Sequence, residues 1–224
     1  MNWRDLNAFS KSLFLVMGIL AAVYLWRELR PEPSNESVSK LASHMVVPPR
    51  ESDLHHLAET KNETKLVESL KSPNTAVRDA ATSALWKLWQ SAAGPEAESR
   101  LQAGMGLLAA GHPLAAVDRF SKIIADYPEF AEAHNQRAIA YFTMEDYERS
   151  IQDCLKATEL NKNHFGAWNG LGRCYLAIRR YDLALGALER ALDLQPFSEE
   201  NKRLIEFCKQ RRRNALPQDL NNSA

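Results

Sequence analysis

Small side chains return at a fixed spacing of 34 residues through the middle of this chain, and that spacing restricts the fold more than any other feature. Gly104, Ala138 and Gly172 form one register, and Ala116, Ser150 and Ala184 form a second. Larger side chains keep the same period at Leu107, Tyr141 and Tyr175 and at Phe120, Cys154 and Leu188, with Ile123, Ala157 and Ala191 completing the set. Within each period the apolar residues recur at helical spacing in two stretches, so each unit reads as a pair of helices. Where two helices cross closely, the contact residue has to be small, because interiors are packed at crystal density and a larger group would push the helices apart. The sequence therefore specifies an all-α chain with three stacked helix pairs starting at Ala97, Ala131 and Phe165.

The third unit contains Trp168, Leu171, Gly172 and Tyr175, which together resemble the W, L-G, Y signature of the tetratricopeptide (TPR) repeat. Pro128 and Pro196 stop the second helices of the first and third units, and Lys162 takes that place in the middle one. The first unit departs most, with Arg100 at the tryptophan position and Pro113 in the turn between its helices. The segments FAEAHNQRAIAYF (130–142) and HFGAWNGLG (164–172) are similar to those of small bacterial and organellar TPR proteins. The resemblance implies an α-α superhelix with repeats at 97–130, 131–164 and 165–198, serving as a scaffold for another protein.

A solenoid cannot leave its last apolar face open to water. Residues 199–216 supply a capping helix, with Ser198 at its start, Glu199 and Glu200 in the first turn, and Lys209, Arg211, Arg212 and Arg213 near its end. Leu204, Ile205, Phe207 and Cys208 are its expected buried side, and 217–224 form a tail. Ahead of the repeats, 53–95 read as two helices joined at Ser72-Pro73-Asn74. Pro73, Val77, Arg78, Ala81 and Leu85 resemble a HEAT unit. The simpler expectation is that this pair caps the first face of the solenoid, with Trp86 and Trp89 packing on the next helix and Gly94-Pro95 breaking the chain.

The N-terminal 30 residues read as a membrane anchor and 31–52 as a proline- and serine-containing linker. From Ala8 to Trp26 the chain is long enough, at about 28 Å, to cross the hydrocarbon core. Its Leu, Ile, Phe and Val residues favour insertion by about 2.5 to 5 kcal/mol in total. A cleaved signal peptide fits less well, because Arg27-Glu28-Leu29-Arg30-Pro31 follows the apolar stretch where small residues are needed. Basic residues are balanced across the span, and the expected orientation is a short cytoplasmic N-terminus with the bulk of the chain across the membrane.

In TPR proteins the first helix of each repeat lines the concave face. The resemblance therefore implies peptide-groove candidates at Leu101, Met105, Asn135, Ile139, Phe142, Asn169, Arg173 and Leu176, with Glu98, Leu108 and Glu132 in the same row. Asn135 and Asn169 sit at equivalent places, where an amide can serve the backbone of an extended peptide. Leu101 and Met105 replace the polar pair with which the chaperone-binding class holds a C-terminal carboxylate, so no clamp of that kind is expected. Arg137 is assigned instead to a structural pair with Asp153.

The chain balances 28 basic against 28 acidic residues, so no overall field draws it to nucleic acid. Its six histidines lack metal-ligand spacing, and no HExxH, P-loop or GxSxG occurs. Cys154, Cys174 and Cys208 fall within helical periodicity as small apolar core residues. The sequence supports neither an enzyme nor a cofactor, metal or small-molecule substrate. It points to a membrane-anchored, single-pass adaptor that takes a protein or peptide segment in its groove, with a self-associating structural subunit as the alternative.

Overall fold

A computed structural model describes His56 and residues 59–215. The proposed anchor at 1–30, the linker at 31–52 and the tail at 217–224 lie outside the described residues. No described helix is long and apolar enough to cross a membrane. From Glu63 onward the order is α1 (Glu63–Ser69), α2 (Thr75–Gln90), α3 (Pro95–Ala109), α4 (Pro113–Asp126), α5 (Ala131–Thr143), α6 (Tyr147–Leu160), α7 (Phe165–Ala177), α8 (Tyr181–Leu194) and α9 (Glu199–Ala215). The architecture is an all-α, TPR-type helical solenoid in which α3–α4, α5–α6 and α7–α8 are the three pairs.

The helix starts are written locally. Asn62, Asn74 and Asp146 accept backbone N–H bonds in the first turns of α1, α2 and α6. Pro95 and Pro113 open α3 and α4 at the position where a missing N–H costs nothing. Pro113 thus begins a helix and does not sit in the turn. Gly94 precedes α3 at φ +93°, a conformation glycine adopts without strain.

The 34-residue period extends to the backbone of the turns. Each first helix ends at a residue with left-handed φ: Gly111 (79°), Glu145 (61°) and Arg179 (60°). The following N–H reaches back five residues, from His112 to Leu107, Asp146 to Tyr141 and Arg180 to Tyr175, at 2.8 to 3.0 Å. Only the first repeat supplies glycine for this closure, and Glu145 and Arg179 carry the steric cost of a Cβ.

Small residues sit at the crossing points as the sequence requires. A Cβ added at Gly104 would lie 2.5 Å from the Phe120 ring, and one at Gly172 would lie 2.6 Å from Leu188 Cγ. In the middle repeat Ala138 is accommodated because the facing residue is the smaller Cys154; both are buried in one cluster. Ala116, Ser150 and Ala184 are all buried, as are Ile123, Ala157 and Ala191. Arg137 donates to both oxygens of Asp153 at 2.7 and 2.8 Å, tying α5 to α6. Burial alone would raise the Asp153 carboxyl, but the Arg137 and His134 hydrogen bonds outweigh it and hold the group below its ordinary range.

The α1–α2 pair is not a cap on the first face. It runs as a strap along the edge where one repeat turns into the next. Leu66, Leu70, Ala81, Ala84, Leu85 and Trp89 form a common core with Phe165 of α7 and Leu194 of α8. Glu63 accepts from Trp89 Nε1 at 3.1 Å and from Asn161 Nδ2 at 2.9 Å, and Arg78 lies 4.3 Å above the ring of Phe197. Contact with the first repeat is slight, through Gln102 donating to Gln90 and through Ala93. The reason is aromatic: Trp86 and Trp89, three residues apart on one helix face, find His164 and Phe165 and not α3. At the other end, α9 buries Ile205 and Cys208 against α8, whereas Phe207 remains exposed, contrary to its expected place on the buried side.

The left-handed turn residues give a direct test. Replacing Glu145 with glycine removes the Cβ cost at a conformation the chain already adopts, so Glu145→Gly is expected to raise stability by up to about 1 kcal/mol in urea unfolding. A comparable loss would mean that the turn is not left-handed in solution.

Candidate functional site

A trough of about 330 Å³ opens between α5 and α7, on the side formed by the first helices of the repeats. Asn135, Ile139 and Phe142 contribute one wall and Asn169 and Arg173 the other, so five of the eight groove candidates come together there. The other three lie elsewhere. Leu101 is fully buried, and Met105 packs beside it in the core of the first repeat. Leu176 packs with Tyr175, Tyr181 and Leu204 on the third-repeat core. Register alone places them on the inner row, but Leu101 and Met105 pack into the first-repeat core and Leu176 into the third, Leu101 fully and the other two in part.

Trp86 from the strap closes one end of the trough. A Cβ at Gly166 would come within 2.5 Å of its ring, so the helix start at α7 has to be bare for the indole to seat. Sequence reasoning missed this because Trp86 lies eighty residues before Gly166 and belongs to another helix pair. Ser150, Cys154 and Cys174 also reach the floor of the trough. Ser150 donates to the Ala138 carbonyl at 2.8 Å and contacts Cys174 Sγ at 3.1 Å. The hydrogen bond to Cys174 and then burial push the Cys154 thiol well above its usual range.

Beneath the trough a carboxylate is buried. Glu132, expected in the inner row, is 1% exposed and accepts from Gln136 Nε2 at 2.7 Å, His164 Nε2 at 2.8 Å and Asn135 Nδ2 at 3.2 Å. Three donors are what make burial of such a charge tolerable. One N–H of the Asn135 amide is therefore committed to Glu132, which fixes the orientation of the side chain. His164 is fixed on its other side, since its Nδ1 accepts the Ala167 backbone N–H at 3.1 Å, and its ring stacks on Trp89 with centroids 4.4 Å apart. An acceptor Nδ1 leaves the ring proton on Nε2, aimed at Glu132. By contrast Asn169 Oδ1 is buried with no donor from the described residues. Arg173 sits at the rim and pairs with Glu200 of α9 at 3.0 Å.

Residues 101–163 and 136–199 match the tetratricopeptide repeat family model. The chain carries TPR repeats, and their match does not extend to the α1–α2 strap. A TPR repeat-containing protein of Rhizobium etli is 35% identical over 82 residues, which is 37% of this chain and 40% of the relative. The chain thus spans well under half the length of that relative. Among solved structures, the Sgt2 TPR domain from Aspergillus fumigatus superposes with a TM-score of 0.52 at 24% identity, covering 54% of this chain and 82% of that one. The first TPR of Spaghetti (RPAP3) bound to the HSP90 peptide SRMEEVD superposes with a TM-score of 0.50 at 24% identity, covering 51% and 90%.

The Glu132 site predicts a specific histidine state. In ¹⁵N NMR of the folded protein, His164 is expected to show a protonated Nε2 and an unprotonated Nδ1. A protonated Nδ1 would contradict both its capping role in α7 and the donor set around Glu132.

Proposed function

We propose that this chain is a membrane-anchored TPR adaptor that holds an extended segment of another protein in the trough between α5 and α7. The observation that supports it most is a preformed cleft whose walls are apolar at Ile139, Phe142 and Trp86 and whose far side keeps an unmet acceptor, Asn169 Oδ1. An extended segment satisfies such an acceptor with a backbone N–H while a side chain fills the apolar space. Like-folded TPR domains with bound peptides, such as Spaghetti (RPAP3) with the HSP90 peptide, support the mode of binding. The first repeat here does not offer polar groups for a C-terminal carboxylate, because Leu101 is buried in core and Met105 lies beside it. The apolar stretch at 8–26 supports attachment of the adaptor to a membrane.

A self-associating structural subunit is the second reading. Leu114, Leu155 and Leu183, one on each second helix, are exposed at 73, 46 and 43%. Concentration-dependent light scattering of the full-length chain separates the two, since an adaptor of this kind stays monomeric.

A carboxylate placed in the apolar wall gives the functional test. In crosslinking pull-downs with the full-length chain, Ile139→Asp combined with Asn169→Ala is expected to reduce recovered partners on the order of tenfold, as for other central interface residues. Unchanged recovery with intact helical content would remove the groove from the account.

A further inference from the structure

The helix that closes the solenoid keeps the period of the repeats. Asn201 lies 34 and 68 residues after Ala167 and Ala133, and Cys208 stands in the same relation to Cys174 and Ala140; all six are buried. The exposed row also continues. Ile139, Arg173 and Phe207 are equivalent positions, and Ile139 and Phe207 are exposed at 41 and 39%. Arg173 Nη1 reaches Glu200 Oε1 at 3.0 Å, which brings the Glu200 face of α9 beside the trough. Arg203, Phe207 and Arg211 follow Glu200 on that same helix face, at three, seven and eleven residues. The α9 helix is thus packed like the first helix of a fourth repeat, and its face extends the inner surface.

The charge along this surface is uneven. At the α5 end, Trp86, Ile139 and Phe142 give an apolar wall. At the α9 end, Arg203 and Arg211 are exposed, with the Arg211 guanidinium 5.0 Å from the Phe207 ring centroid. Of the acidic groups beside the trough, Glu200 is committed to Arg173 and Glu132 to its buried donors. Arg212, the next residue, turns instead to Asp182 on α8 at 3.3 Å. The surface therefore runs from apolar to cationic.

We propose that the occupant of this groove is an extended protein segment with apolar side chains followed by carboxylates, its acidic end read by Arg203 and Arg211 across the Phe207 ring. This rests on the groove reading above and gives the partner a chemistry and a direction. Arginine suits the task, because its planar fork pairs with carboxylates while its stem and face lie on an aromatic ring. Such contacts at a rim contribute specificity and association rate, and they weaken with salt.

Random linear peptides displayed on phage, panned against the full-length chain in nonionic detergent and remeasured as labelled synthetic peptides by fluorescence anisotropy, test the proposal. Selected sequences are expected to place acidic residues on one side of an apolar pair. Arg203→Glu with Arg211→Glu, both exposed and so compatible with folding, is expected to weaken them about tenfold. The same peptides with amides in place of carboxylates should bind the variant and the parent alike. Peptides that depend on Ile139 yet show no acidic preference, or that ignore the double reversal, would overturn the charge assignment and leave the groove intact. Peptides insensitive to Ile139→Asp, or no selection at all, would overturn the groove reading itself.

Discussion

The stacking of Trp89 on His164 joins the two parts of this molecule, and much of the remaining geometry follows from it. His164 closes the turn between the second and third repeats, caps α7 through Nδ1 and donates a hydrogen bond from Nε2–H to Glu132. The indole that covers it is itself held by Glu63, which also takes the Asn161 amide. One aromatic contact therefore couples the strap, the turn and the starts of α5 and α7. Covering this polar cluster with an indole also excludes water from it, which strengthens each hydrogen bond and makes a missing partner costly.

Stacked repeats ordinarily interact only with their neighbours, so curvature accumulates from small local terms. Here the strap adds contacts that skip neighbours, running from the Asn161 turn through Phe165 to Leu194 and Phe197. The trough is consequently bounded at one end by Trp86 and bordered at the other by α9. A cleft held by elements on both sides loses less entropy on binding than one that has to form around its ligand.

The repeats were legible in the sequence because their cause is local and steric. Gly104 against Phe120, Ala138 against Cys154 and Gly172 against Leu188 are complementary in bulk, and the pairing within each unit spans only sixteen residues. The Arg137–Asp153 pair was legible for the same reason. The strap was not, since its two tryptophans announce burial without naming a partner, and His164 and Phe165 lie some seventy-five residues further along. Register alone puts Glu132 in the inner row, while the three donors that bury it converge only in the fold. Apolarity alone points Phe207 to the core, although its register places it in the exposed row with Ile139 and Arg173. Leu101, Met105 and Leu176 show the converse, with the right register but side chains drawn into the first- and third-repeat cores.

Hydrogen exchange of the full-length chain against Trp89→Ala tests most directly whether the strap sets the geometry of the trough. The account predicts faster exchange at the first turns of α5 and α7, around Ala133 and Ala167, with α4 and the N-terminal half of α8 unchanged. Acceleration confined to α1 and α2 would show that the repeats hold their shape unaided and would contradict the coupling described here.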